Sequence, residues 1–163
     1  MKLSAYSDYA IRVLMQTALR SPQRLTVAEV ALTFGISRHH LVKVVHDLGR
    51  SGYLATQRGI GGGFTLARAP ENIRLGEIIR LGEESETVID CLDGENHVCR
   101  LLPVCRLKGV FDEAAEAFFA VLDDYTLADL LQQPSRMRTA LGIRGTKPIT
   151  SSRRQPSGAE FEI

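Results

Sequence analysis

Two short amphipathic segments meet at a glycine in the first third of the chain and restrict the folds open to it. The first runs from 26 to 34 and stops at Gly35, and Ser37 precedes a second segment, Arg38–Arg50. Its inward positions recur at helical spacing and are Leu41, Val44, Val45 and Leu48. Two helices joined by three or four residues around a glycine are typical of a helix-turn-helix. The segment 38–50 is the predicted recognition helix.

A glycine-rich hairpin is predicted directly after this unit. Residues 53–58 favour a strand, residues 59–63 are Gly-Ile-Gly-Gly-Gly, and residues 64–68 favour a returning strand. The glycines are not followed by Gly-Lys-Ser/Thr, so they do not form a phosphate-hydrolysing P-loop. The predicted fold is mainly α with a small β-hairpin wing, that is, a winged helix-turn-helix.

A longer helix is predicted before the helix-turn-helix. Ser7 and Asp8 are residue types that cap helix N-termini, and Ser21-Pro22 ends the segment that follows them. One apolar stripe at helical spacing is expected to face the core, formed by Ile11, Leu14, Met15 and Ala18.

The charge is sharply partitioned although the net charge is only +1. Residues 1–70 carry +6, residues 71–133 carry −9 and residues 134–163 carry +4. A basic N-terminal third indicates an anionic partner, and double-stranded DNA suits a winged helix. The residues predicted to contact DNA are Ser37, Arg38, His39, His40 and Lys43 on the recognition helix and Arg58 at the wing.

Other classes of protein have less support. No apolar run approaches the roughly 20 residues of a membrane span, and the N-terminus lacks the apolar core of a secretory signal, so a cytoplasmic protein is expected. The sequence contains no Cys-x-x-Cys motif and no nucleotide-binding fingerprint. We therefore expect no enzymatic activity, with a thiol oxidoreductase as the less favoured alternative.

The three cysteines, Cys91, Cys99 and Cys105, fall within fifteen residues of each other. An odd, clustered count favours a metal or redox site over a disulfide framework. The two-residue intervals of a zinc ribbon are absent, whereas three thiolates on a loop can hold three corners of an iron–sulfur cluster that needs a further ligand. His97 lies between two of the cysteines and can instead complete a Cys/His zinc site.

A long amphipathic helix is predicted after the cysteines, from 105 to about 122. Its acidic side carries Asp112, Glu113 and Glu116. Its apolar stripe consists of Leu107, Val110, Phe111, Ala114, Phe118, Val121 and Leu122. The preferred interpretation is dimerisation against the same helix of a second subunit; the alternative is packing on the chain's own N-terminal part.

Several of these segments together resemble bacterial iron–sulfur winged-helix repressors, the family that includes the NsrR, IscR and RirA groups. The resemblance covers nearly all of residues 1–133. It is carried by Leu3, Ser7-Asp8-Tyr9-Ala10-Ile11-Arg12, Ser37-Arg38-His39-His40-Leu41-Val42-Lys43, Arg58-Gly59-Ile60-Gly61-Gly62-Gly63-Phe64-Thr65-Leu66, the three cysteines, and Leu122-Asp123-Asp124-Tyr125-Thr126-Leu127-Ala128-Asp129-Leu130. The first and last of these segments look most like the nitric-oxide-sensing NsrR group.

The resemblance implies a homodimeric DNA-binding repressor with an iron–sulfur cluster on Cys91, Cys99 and Cys105, with 4Fe–4S preferred and 2Fe–2S as the alternative. It also implies that Asp8 of the other subunit supplies the fourth ligand and that nitric oxide is the signal. IscR-like proteins have a ligating histidine just after the last cysteine, but here Arg106-Leu107-Lys108 follows. The seven-residue gap before the second cysteine does not exclude iron sensing of the RirA type.

The expected organisation has three parts. Residues 1–70 form a DNA-binding winged helix-turn-helix, residues 71–133 contain the cluster-binding loop and the dimerisation helix, and residues 134–163 are a flexible tail. The tail is rich in Thr, Ser, Arg and Pro from Gly142 onward, a composition typical of chain that does not pack.

Overall fold

A computed structural model of the chain describes residues 3–83 and 104–143, and its architecture is a winged helix-turn-helix followed by further helices. The predicted fold class is confirmed. In chain order the elements are α1 (Ala5–Arg20), α2 (Val27–Phe34), α3 (Arg38–Arg50), β1 (Leu54–Gln57), β2 (Gly63–Leu66), α4 (Leu75–Gly82), α5 (Arg106–Asp123), α6 (Leu127–Leu130) and α7 (Pro134–Ala140). The predicted ligands Cys91 and Cys99, and His97, the alternative to Asp8 as fourth ligand, lie outside the described residues.

Helix α1 begins earlier than predicted, and Ser4 is its N-cap rather than Ser7 or Asp8. The Ser4 hydroxyl accepts the Ser7 N–H at 3.1 Å, which satisfies one of the amides left free at a helix start. Ser7 itself is completely buried. The predicted capping role was therefore wrong by one turn, and Asp8 lies within the helix.

The buried side of α1 is also wider than one stripe. Its buried residues include Val13, Gln16 and Thr17 in addition to the predicted Leu14 and Ala18. Helices α3, α4, α6 and α7 and strand β2 all contact α1. A helix that is covered from several sides buries polar as well as apolar positions, so α1 is the centre of the core.

The helix-turn-helix has the predicted form. Thr26 and Glu29 form a reciprocal capping box at the start of α2, and Gly35 ends it with a left-handed φ of 65°. On α3 the four residues predicted to point inward, Leu41, Val44, Val45 and Leu48, are all buried.

The wing comprises residues 54–66, with β1 and β2 paired antiparallel from Leu54 opposite Leu66 to Gln57 opposite Gly63. Leu25 adds a bridge to the hairpin through two hydrogen bonds with Phe64, at 2.9 and 2.8 Å. Gly63 is required here, because a Cβ would lie 2.6 Å from the Leu25 carbonyl oxygen and its φ is 149°. The base of the wing is thereby fixed to the core.

Segments after residue 71 pack into the same core as the winged helix-turn-helix. Ile73, Ile78, Leu127 and Leu131 belong to one apolar cluster with the buried residues of α1 and α3. No helix in residues 3–83 or 104–143 is long and apolar enough to cross a membrane.

Helix α7 corrects the prediction of a tail that is flexible from residue 134. Ile143 is buried, Met137 packs on the core, and the buried Arg138 donates from Nε to the Leu19 carbonyl at 3.0 Å. Because these residues pack on the core and Arg138 bonds to α1, residues 134–143 are part of the fold. Residues 144–163 lie outside the described part of the chain.

Candidate DNA-binding surface and cysteine centre

The outer face of α3 is basic and exposed. The predicted DNA contacts Arg38, His39, His40 and Lys43 are all exposed, as is Ser37 at the N-cap position. The Ser37 side chain makes no capping hydrogen bond. The hydroxyl is therefore not engaged by the helix terminus, and the first turn of α3 presents polar groups outward.

Two of these residues, His40 and Lys43, contact aromatic rings of α1. The His40 ring stacks on Tyr9, with centroids 6.2 Å apart. The Lys43 ammonium lies 3.2 Å from an Asp47 carboxylate oxygen and 4.9 Å from the centre of the Tyr6 ring. The start of α1 and the outer face of α3 are thus in direct contact.

Tyr6 completes that contact, since its hydroxyl donates to Asp47 at 3.2 Å. Burial, reinforced by the Asp47 charge and hydrogen bond, raises the pKa of Tyr6 well above its usual value, so the phenol stays protonated. Asp47 was not identified from the sequence, although its spacing of four residues from Lys43 is the signature of a helical ion pair. The contact between Tyr6 and Asp47 joins α1 to α3, so no local sequence pattern predicts it.

The wing follows α3 along the chain, and β1 contacts that helix. Arg58 follows β1 directly and is exposed, as is Ile60 near the tip of the turn. A Cβ on Gly62 would meet the Gln57 carbonyl oxygen at 2.6 Å, so the tight turn that presents Arg58 depends on that glycine.

Asp8 lies on the first turns of α1 with its carboxylate half exposed. Both of its oxygens accept the Arg12 Nε–H, at 2.8 and 2.9 Å. Arg12 also lies 5.5 Å over the Phe34 ring. The predicted fourth ligand is therefore at the surface, paired with a cation of its own helix.

Hydrogen bonds join the start of α1 to the end of α4. The Glu83 carboxylate accepts the Ser7 hydroxyl at 2.6 Å and the Ser4 N–H at 3.0 Å, and the Ser4 hydroxyl donates to the Gly82 carbonyl at 3.1 Å. Residue 83 is the last described position before the segment that carries Cys91 and Cys99. These bonds were not anticipated from the sequence, because they join positions almost eighty residues apart.

Cys105 is the N-cap residue of α5, with a free, partly exposed thiol. In the ranges 3–83 and 104–143, no group of three His, Cys, Asp or Glu side chains is arranged to hold a metal ion. A site built on the cysteines therefore requires Cys91 and Cys99 as well.

The predicted apolar stripe of α5 is exposed at Leu107, Val110, Ala114 and Val121 and partly buried at Phe111, Phe118 and Leu122. Leu107, Val110 and Val121 expose 52%, 60% and 58% of their surface. The buried residue of this helix is Phe119, which was not in the stripe. The guanidinium of Arg80 lies 4.4 Å over its ring and makes two 2.8 Å bonds to Asp123.

The chain is similar to known transcriptional regulators. The family model described as "Rrf2: Iron-dependent Transcriptional regulator" matches residues 3–133. The HTH-type transcriptional regulator NsrR of Bacillus subtilis (strain 168) is 44% identical over 145 residues, covering 88% of this chain and 99% of that protein. NsrR of Geobacillus kaustophilus (strain HTA426) is 43% identical with the same coverage.

Solved structures agree on the fold. CymR, the global cysteine regulator of B. subtilis, has a TM-score of 0.61 at 27% identity, covering 80% of this chain and 95% of that one. IscR of T. potens has a TM-score of 0.65 at 24% identity, covering 85% of this chain and 91% of that one. The resemblance drawn from the sequence motifs is confirmed at the level of the family.

Proposed function

The chain belongs to the Rrf2 family of transcriptional regulators, and on that basis we propose that it is a cytoplasmic, homodimeric repressor that senses nitric oxide. In this proposal α3 and the wing bind double-stranded DNA, α5 joins two subunits, and an iron–sulfur cluster links the signal to the DNA. The regulator assignment also argues against the thiol oxidoreductase alternative, since the matched relatives are named transcriptional regulators.

The observation that carries the DNA-binding part is the outer face of α3. Basic and polar side chains are exposed along it while its apolar residues are buried, and Arg58 lies on the wing that follows. Such a helix can enter a major groove while a wing contacts phosphates. We assign Ser37, Arg38, His39, His40, Lys43 and Arg58 to this interface.

Dimerisation is supported by the exposed stripe of α5. Apolar side chains of this size, aligned along an 18-residue helix, gain free energy when a second copy covers them. Two subunits joined in this way would present two recognition helices to paired half-sites.

The donor set fits an iron–sulfur cluster. Thiolates of Cys91, Cys99 and Cys105 suit three iron atoms of a 4Fe–4S cluster, and Asp8 of the second subunit would supply a harder, more weakly held oxygen ligand. When bound, the cluster supplies iron that reacts with nitric oxide. Cys105 is available for this role because its thiol is free and partly exposed.

Asp8 must leave Arg12 to act as a ligand. An exposed ion pair of this spacing contributes only about 0.5 kcal/mol, so the exchange costs little. Since Tyr6 and Tyr9 of the same helix contact α3, a shift at the start of α1 reaches Lys43 and His40. Loss of the Asp8 ligand would in this way alter the outer face of α3.

A second candidate is a regulator that responds to iron or to cluster status. It is favoured by the description of the matched family as an iron-dependent transcriptional regulator. The DNA and dimer surfaces would be the same, and the signal alone would differ.

Anaerobic purification with absorbance, iron and sulfide analysis tests the cluster and its ligands. Alanine at Cys91, Cys99 or Cys105 should abolish cluster binding, because two thiolates are too few to hold it. Asp8→Ala should keep a cluster with an altered spectrum and greater oxygen lability, and His97→Ala should change little. The ligand assignment is wrong if His97→Ala destroys the cluster while Asp8→Ala leaves the spectrum unchanged.

A further inference from the structure

Val42 differs in chemistry from every other exposed side chain on α3, a helix that the structure describes in full. It exposes 57% of its surface, whereas the remaining valines of α3, Val44 and Val45, are buried. The exposed side chains around it are Arg38, His39, Lys43 and His46, all polar. An apolar side chain therefore lies within the basic outer face.

The fold gives no reason for a valine at this position. β-Branched residues lose side-chain freedom in helices and have lower helix propensity than alanine or lysine. A side chain that remains mostly in water also recovers little hydrophobic free energy. Stability alone does not favour valine over alanine or lysine at position 42.

DNA offers one apolar group in the major groove, the C5-methyl group of thymine. Val42 and Arg38 are four positions apart and so lie on one side of α3, one turn from each other. The Arg38 guanidinium can then bond a phosphate or a guanine while the Val42 side chain packs on a nearby thymine methyl group. We propose that Val42 determines sequence specificity by packing on a thymine C5-methyl group in each half-site.

The inference rests on the proposed binding of DNA by α3, and a selected duplex tests it. The full-length protein, purified anaerobically, first selects duplexes from a random-sequence library. Each thymine of the tightest duplex is then replaced singly by deoxyuridine, which removes only the methyl group. Affinities are measured for the unmodified chain, for Val42→Ala, and for Leu32→Ala as a control for an exposed apolar residue on α2.

Removing one methyl group should weaken binding by the unmodified chain about four-fold at the contacted thymine, the value of roughly one buried methyl group. Val42→Ala should lose a similar factor on the thymine duplex and show no further loss with deoxyuridine, because both changes delete the same contact. Leu32→Ala should keep the full deoxyuridine penalty.

Two kinds of failure are distinguishable. If the protein selects a duplex but no deoxyuridine position matters, or if Val42→Ala keeps the same penalty, Val42 does not read a methyl group and α3 can still bind DNA. If no duplex is enriched, or if Arg38→Ala and Lys43→Ala leave the affinity of the selected duplex unchanged, the proposed DNA interface itself is wrong. Circular dichroism checks that each variant is folded.

Discussion

Helices α3 and α5 are both amphipathic, yet their apolar sides end in opposite environments. On α3, Leu41 and Leu48 are 0% exposed, because α1 and α2 cover them. On α5, Leu107 and Val110 remain 52% and 60% exposed. Periodicity thus predicts an apolar face but not which chain buries it, since that depends on whether other elements of the same chain can reach the face.

The polar sides of the two helices differ as well. The outer face of α3 is basic, whereas α5 carries Asp112, Glu113 and Glu116 beside its apolar stripe. Only the first can attract DNA. In the proposed function α3 contacts DNA and α5 contacts the second subunit, and a matched pair of variants tests each of these two roles.

The largest effect on stability is expected for Leu48→Ala. It leaves a cavity in the core of a single subunit, which costs about 2–5 kcal/mol of unfolding free energy. Leu107→Ala is the matched control, and we expect it to act only through dimer dissociation. Chemical denaturation at several protein concentrations distinguishes a loss of subunit stability from a loss of dimerisation. Equal, concentration-independent losses would mean that α5 is buried within its own chain.

Subunit association should be the next most sensitive property. Phe118→Asp inserts a charge into the apolar stripe and should raise the dimer dissociation constant about 100-fold or more, with the helical signal retained. Ala120→Asp adds the same charge to an exposed position off the stripe and should leave the dimer intact. Sedimentation measures whether each variant remains dimeric. A Phe118→Asp variant that remains folded and dimeric would exclude this interface.

DNA affinity should respond to charge on α3. Lys43→Ala should reduce the slope of log affinity against log salt by about one, and Arg58→Ala should behave similarly. Asp47→Asn should raise affinity a few-fold, because it frees the Lys43 ammonium from its partner. Lys108→Ala, which removes an exposed charge from α5, is the control. Fluorescence anisotropy across a potassium chloride series would reject the assignment if Lys43 and Lys108 variants have the same slope.

The smallest effect on stability is expected from the ion pair between Arg80 on α4 and Asp123 on α5. Hydrogen bonding to Arg80 lowers the pKa of Asp123 below its ordinary value of 3.8. The resulting stabilisation is present above pH 3.8 and is lost as the pH falls through the lower pKa of the folded state. Asp123→Asn should therefore flatten the acid limb of a stability–pH curve relative to the unmodified chain. Identical curves would show that this pair contributes nothing to stability.

Much of the helix-turn-helix and wing could be predicted from the sequence, because their signals are local. The spacing of Leu41, Val44 and Leu48, the left-handed Gly35 and the glycines of the hairpin each act over a few residues. The stripe of α5 was likewise identified by its period. The exposure of Arg38, His39 and Lys43 follows from the same geometry.

Features that depend on distant contacts could not be predicted. Ser4, Ser7 and Asp8 are all acceptable caps, and the choice of Ser4 is accompanied by bonds from Ser4 and Ser7 to Glu83, far along the chain. The wide buried side of α1 reflects elements packed on several sides. Helix α7 was missed because its packing residues are interspersed with charged and polar ones and require α1 as a surface.

A single titration tests the proposal that nitric oxide acts on DNA binding through the cysteines. Anaerobically purified protein bound to its selected duplex is titrated with nitric oxide while absorbance and anisotropy are recorded together, with an iron chelator in a parallel sample. We expect affinity to fall at least about ten-fold as the cluster absorbance is lost, and the chelator alone to leave affinity unchanged over the same time. Unchanged affinity after the absorbance has gone, or release by the chelator but not by nitric oxide, would contradict it.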